Sequence, residues 1–205
     1  MNTKISITRI FLALSLCIIL SWFLYQIWDS DLVYQYRKHY TSDSNLVLDF
    51  KDINVNFIEG DIKSRFRINW FCTADTQLPD FGTYVCVDHL KTWNEVPALG
   101  VVTWFKNNKL NAVKVDIPFW HHREMINHLI EQYGKPTNIY KYKNKTKLIK
   151  NLALLIMSEG EYKSNVNIAT DEYAEWILPN RAILSTTLED DANPFSQSTI
   201  LWRTY

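Results

Sequence analysis

The sequence predicts an α+β fold: a single N-terminal transmembrane helix followed by one domain, an antiparallel sheet with one or two packed helices. Three observations carry that expectation. Ile10 to Trp28 form a run of 19 residues without a charged side chain. Two β-rich runs, Leu99 to Phe105 and Leu110 to Ile117, flank Lys106-Asn107-Asn108-Lys109. Ile126, Leu129, Ile130 and Tyr133 fall at offsets 0, 3, 4 and 7, the apolar stripe of an amphipathic helix.

The uncharged run comes first. At about 1.5 Å per residue, a helix of that length approaches the ~30 Å hydrocarbon thickness of a bilayer. Lys4 and Arg9 precede it with no acid between them, and Asp29 and Asp31 follow. The positive-inside rule then keeps residues 1–9 in the cytoplasm and exports the rest. Trp22, Tyr25 and Trp28 sit near the far end, where aromatic rings favour the interface. A cleaved signal peptide is the competing reading, but Ser21 to Asp31 is bulky and aromatic and lacks a small-x-small site. A lipoprotein signal ending at Cys17 would need a small residue where Leu16 stands. The expected organisation is residues 10–28 as anchor, 29–45 as a helical or irregular stalk, and 46–205 as the soluble domain.

Along that domain, Leu46 to Phe50 and Ile53 to Ile58 read as extended, ending at Glu59-Gly60-Asp61. Arg65 to Cys72 and Tyr84 to His89 read as strands joined by a polar loop with Pro79, Asp80 and Gly82. Asn107-Asn108 suits a tight hairpin turn, because asparagine tolerates positive φ. After the amphipathic helix, Gly134 stands where a helix ends and Pro136 blocks its continuation. Thr137 to Lys143 is a candidate strand, and Leu148 to Met157 fits a helix or a buried strand equally well. Tyr173 to Leu178 and Ala182 to Leu188 flank Pro179-Asn180-Arg181 as a second hairpin, and Thr199 to Tyr205 closes the sheet.

Composition bounds the function. The chain has 205 residues, 47% hydrophobic, with only 5 glycines and no phosphate-cradling glycine motif. Without Lys4 and Arg9 the 22 basic residues become 20 against 22 acidic ones, a net of −2. A near-neutral domain gives no global reason to bind nucleic acid.

Cys72 and Cys86 are the cysteines of the exported part. Export permits a disulfide between the two flanking strands, and two buried free thiols are the alternative. Their spacing fits neither a CxxC redox site nor a zinc motif. His121, Glu124 and His128, at offsets 0, 3 and 7, share a helix face and form a candidate metal or acid/base set; a solvated face opposite the apolar stripe is the plainer account. Lys141, Lys143, Lys145 and Lys147 lie in the strongest charge bias of the chain, a candidate contact for an anionic surface. A solubilising edge hairpin is the preferred account. Asp190-Asp191 lacks the ligand spacing of a Ca²⁺ loop, and no serine has a nucleophile-elbow context. An exposed Trp93–Trp120 pair would suit a peptide, a glycan or a hydrophobic partner, and core packing is the alternative. No cofactor, metal or nucleic acid is expected.

The stretch Trp104 to Thr137, ending Tyr133-Gly134-Lys135-Pro136-Thr137, resembles a pattern in small uncharacterised envelope proteins of Gram-negative bacteria over about a sixth of the chain. The resemblance implies a single-pass inner-membrane protein with its C-terminal domain in the periplasm, and it carries over no functional residue. The expected function is contact with a protein partner, as an envelope accessory or as immunity to a periplasmic toxin. The alternative is an envelope enzyme or metal- or ligand-binding protein using the His121–Glu131 helix.

Overall fold

The computed structural model describes residues 14–19, 21–22, 31–74, 78, 80–141, 172–188 and 197–204. The chain divides into two compact units, Met1–Arg37 and Lys38–Tyr205. In the first, residues 14–19 and 21–22 are helical. Among the described residues no helix is long and apolar enough to cross a membrane. Residues 10–13, 20 and 23–28 of the expected span lie outside the described residues.

The fold is α+β with a mostly antiparallel sheet, as predicted. Its elements are α1 (Asp31–Thr41), β1 (Asn45–Leu46), α2 (Glu59–Arg65), β2 (Phe71–Ala74), β3 (Tyr84–His89), β4 (Thr92–Trp93), β5 (Val96–Pro97), β6 (Gly100–Lys106), β7 (Lys109–Pro118), α3 (His122–Tyr133), β8 (Asn138–Lys141), β9 (Glu172–Leu178), β10 (Ala182–Leu188) and β11 (Gln197–Thr204). Eight strands pair antiparallel in the order β2-β3-β6-β7-β11-β10-β9-β8, and β1, β4 and β5 make a small second sheet.

Both predicted hairpins form. Asn107 and Asn108 have φ of 52° and 61°, the left-handed pair that a two-residue turn requires. At the β9–β10 turn Arg181 takes φ 58°. A third turn was not foreseen: Asn94 and Glu95, at φ 45° and 72°, join β4 to β5. Asn94 bears that conformation because its side chain accepts from the Leu48 amide at 2.9 Å and donates to the Leu48 carbonyl at 2.9 Å.

The helix α3 matches its predicted stripe. Met125, Ile126 and Leu129 are wholly buried against the sheet, each worth roughly 1.5–3 kcal/mol. At its end the Gly134 amide donates to Ile130 O at 2.9 Å, and Trp176 Nε1 on β9 donates to Gly134 O at 2.9 Å. The face of the sheet that meets α3 and Ile62 of α2 presents Val101, Phe105, Val113, Val115, Ile117, Trp176, Ile200 and Trp202 to one large core.

Two sequence expectations are corrected. Glu59-Gly60-Asp61 starts a helix instead of ending a strand: the Asp61 carboxylate accepts from the Ile58 amide at 2.9 Å and so closes the first turn. The strand expected from Arg65 begins only at Phe71, because Phe66 to Trp70 bonds to itself (Ile68 N to Phe66 O, Trp70 N to Ile68 O) and leaves no ladder to join. Residues 38–45, expected as the end of a stalk, belong to the second unit. His39 Nδ1 donates to the carbonyls of Leu90 at 3.0 Å and Ala98 at 2.7 Å. Lys141 ends β8; Lys143, Lys145, Lys147 and the Leu148 to Met157 segment lie outside the described residues.

Candidate functional site

Three places gather chemistry: the face of the sheet turned away from α3, the start of α3, and the junction of α2 with β2 and β3.

The sheet alternates its side chains, so register defines the face turned away from α3. One row crosses it as Phe71, Val87, Val102, Lys114 and Leu201, each directly opposite the next. The adjacent row is Thr73, Val85, Trp104, Ala112, Arg203, Ile183 and Ile177. Val85, Trp104 and Ala112 are buried in a second apolar cluster that Phe81, Val87, Val102 and Leu201 border while half-exposed. At the ends of the two rows, Phe71 is 67% and Ile177 55% exposed. Beside this patch Lys114 Nζ meets the Asp116 carboxylate at 3.0 Å, and Thr199 Oγ1 donates to the same oxygen at 2.9 Å. The pair fixes one charge of each sign beside apolar surface. The sequence marks this face only in the alternation of β7, where Lys114 and Asp116 point one way and Val113, Val115 and Ile117 the other.

The predicted triad on α3 is only partly assembled. His121 Nδ1 donates to Glu124 Oε2 at 2.8 Å at the exposed helix start. His128 lies apart from them. Its Nε2 accepts from Asn94 Nδ2 at 3.3 Å and its ring stands edge-on to Trp93 at 5.0 Å. The spacing missed this because Trp93, from the unforeseen β4–β5 turn, packs against that turn of the helix. Trp93 is itself fully buried, tilted on Phe50 at 5.8 Å, with Nε1 donating to Leu48 O. Of the two readings of Trp93 and Trp120, an exposed pair or core packing, Trp93 takes the second and fills the core beneath α3.

His122, which the sequence analysis did not single out, is buried against β11. Burial, and then the charge of Arg123, press its pKa down to about 4, so the ring is neutral.

At the third place, Cys72 and Cys86 sit directly opposite one another in the β2–β3 register and are joined by a disulfide. Cys86 is fully buried and Cys72 partly so. Glu59, the first residue of α2, lies over them, and its carboxylate and the two sulfurs lie within 4.8 Å of one another. Lys63, one turn along the helix, pairs with Glu59. Its hydrogen bond, with that of Tyr84, holds the Glu59 carboxyl below the usual range against the opposing effect of partial burial. Spacing along the chain cannot reveal this cluster, because Glu59 arrives from a helix that the sequence read as the end of a strand.

A shallow polar groove of about 610 Å³ also runs between the end of α1 and the end of β3, lined by Lys38, Ser42, Arg67, Asp88 and His89 among others. Its walls bond to each other: Asp88 accepts from the amides of Asn69 at 3.0 Å and His89 at 2.8 Å, and Ser42 Oγ donates to His89 O at 2.7 Å.

Compared with protein-family models, with curated proteins and with solved structures, the chain finds no match in any of the three.

Proposed function

We propose that this chain is a membrane-anchored envelope protein that works by holding a protein partner against the face of its sheet turned away from α3. The observation that carries the reading is the apolar run Phe71, Val87 and Val102, which ends at Lys114 of the Lys114–Asp116 pair, with Leu201 on its far side. Apolar surface flanked by fixed charge is the composition of a protein-contact surface: the apolar part supplies the free energy and the charges set orientation. The partner face it suits is apolar at its centre with an acid and a base at the margin. The uncharged run 10–28 supports the anchor, and the Cys72–Cys86 disulfide supports an oxidising compartment, the periplasm in the bacterial reading.

Site-specific photo-crosslinking in cells tests it. A photoreactive residue at Val102 yields a discrete adduct, and one at Glu131, exposed on α3, does not. Identical adduct patterns at the two positions, or none at Val102, would sink the proposal.

A further inference from the structure

We propose that Cys72, Cys86 and Glu59 form a binding site for one thiophilic divalent cation of the zinc class, closed while the disulfide stands and opened by a dithiol reductant. The proposal is independent of the partner-binding reading above.

Three donor atoms from three elements already converge there: a sulfur from β2, a sulfur from β3 and a carboxylate from α2, all within 4.8 Å of one another. The backbone would keep them in place after reduction. Phe71 pairs with Val87 and Thr73 with Val85 on either side of the cysteines, so the strands stay in register without the covalent link. Two thiolates on one tetrahedral zinc ion, each at about 2.3 Å, stand about 3.8 Å apart. Opposite residues of an antiparallel pair reach that separation by small side-chain rotations.

The electrostatics favour a cation. Lys63 pairs with the Glu59 carboxylate, so the two cysteines open beside an acidic side chain that already holds a cation. A divalent cation offsets two of the three negative charges that the thiolates and the carboxylate bring, and it displaces Lys63, whose side chain is 44% exposed and free to swing outward. Three protein ligands leave a fourth position for water.

The chemistry balances as follows. A thiolate of the dithiol attacks Cys72 Sγ, the accessible sulfur, and Cys86 leaves as thiolate. The second thiol of the reductant then displaces Cys72, so two electrons enter the protein and the reductant closes as its own disulfide. Metal binding releases the protons of the two cysteine thiols.

The full chain in detergent, reduced with dithiothreitol and desalted under anaerobic conditions, would be titrated with Co²⁺ and followed by thiolate-to-cobalt charge-transfer absorption. Reduced protein is expected to take up one Co²⁺ per chain with that absorption, and oxidised protein none. Glu59→Gln is expected to keep the absorption but to bind at least about tenfold more weakly. Near-ultraviolet circular dichroism confirms that the variant keeps the fold. No charge-transfer band in the reduced chain, equal affinity in Glu59→Gln, or undiminished uptake by a Cys72→Ser/Cys86→Ser variant would each overturn the assignment.

Discussion

His122 Nδ1 lies 2.9 Å from Ser198 Oγ, and both side chains are closed off from solvent between α3 and β11. The other ring nitrogen, Nε2, has no hydrogen-bond partner among the described residues, so a proton there would be a buried charge without compensation. In the unfolded chain the ring protonates near its ordinary 6.5; in the folded chain it resists until about 4. The unfolded state therefore binds the extra proton first as pH falls. The stability this group contributes is complete above pH 6.5 and is lost progressively down to about 4, a change on the order of 3 kcal/mol. Denaturation curves across that window check it, with His122→Gln expected to flatten the dependence relative to the parent chain.

Tyr133 ties the end of α3 to the chain before α2. Its hydroxyl donates to Asp49 Oδ1 at 2.8 Å and accepts from the amide of fully buried Phe50 at 2.9 Å. Tyr133→Phe strands that amide and is expected to cost about 2 kcal/mol. Burial pushes the phenol well above its usual range. A spectrophotometric titration should find one tyrosine that ionises only when the protein unfolds in alkali.

Removing the disulfide is expected to destabilise the domain by about 3 kcal/mol, the loop-closure value for cysteines separated by 14 positions. Denaturant midpoints of Cys72→Ala/Cys86→Ala against the oxidised parent measure it. Thiol labelling of intact cells gives the cellular counterpart: both cysteines should label only after reduction.

Two glycines should fail in different ways. At Gly134, with φ 78° and ψ −163°, a new Cβ meets nothing within 4 Å, so Gly134→Ala costs only backbone strain, roughly 1–3 kcal/mol. At Gly82 a Cβ would collide with the Phe105 carbonyl, where Gly82 packs against the end of β6. Gly82→Ala must move a strand and is expected to be the more damaging of the two by thermal melting.

The legible parts of this fold are those with local causes. The β6–β7 hairpin is written in Asn107-Asn108, and α3 in a four-residue apolar stripe closed by Gly134. The disulfide followed from two apolar runs of strand character around Cys72 and Cys86. What escaped has distant causes. α2 contains Gly60, a poor helix residue, and is held by the core contacts of Ile62. Aromatic alternation in Phe66 to Trp70 suggested a ladder, yet the amides of Ile68 and Trp70 bond within the segment and that of Asn69 goes to the Asp88 side chain on β3. His128 parted from His121 because Trp93 came to meet it, and Glu59 reached the cysteines across the sheet. The apolar rows on the face turned away from α3 became visible only once strand order was known.

That strand order governs how the molecule can be made. β11 sits in the middle of the sheet, between β7 and β10, yet it follows every other strand in the chain. A nascent polypeptide emerging N-terminus first builds β2-β3-β6-β7 and β8-β9-β10 as two half-sheets, each with an open inner edge. They cannot join until residues 197–204 are released from the ribosome or the export channel. Open edges of that kind recruit other strands. The interval before β11 inserts is therefore when the newborn chain most needs a chaperone to shield it.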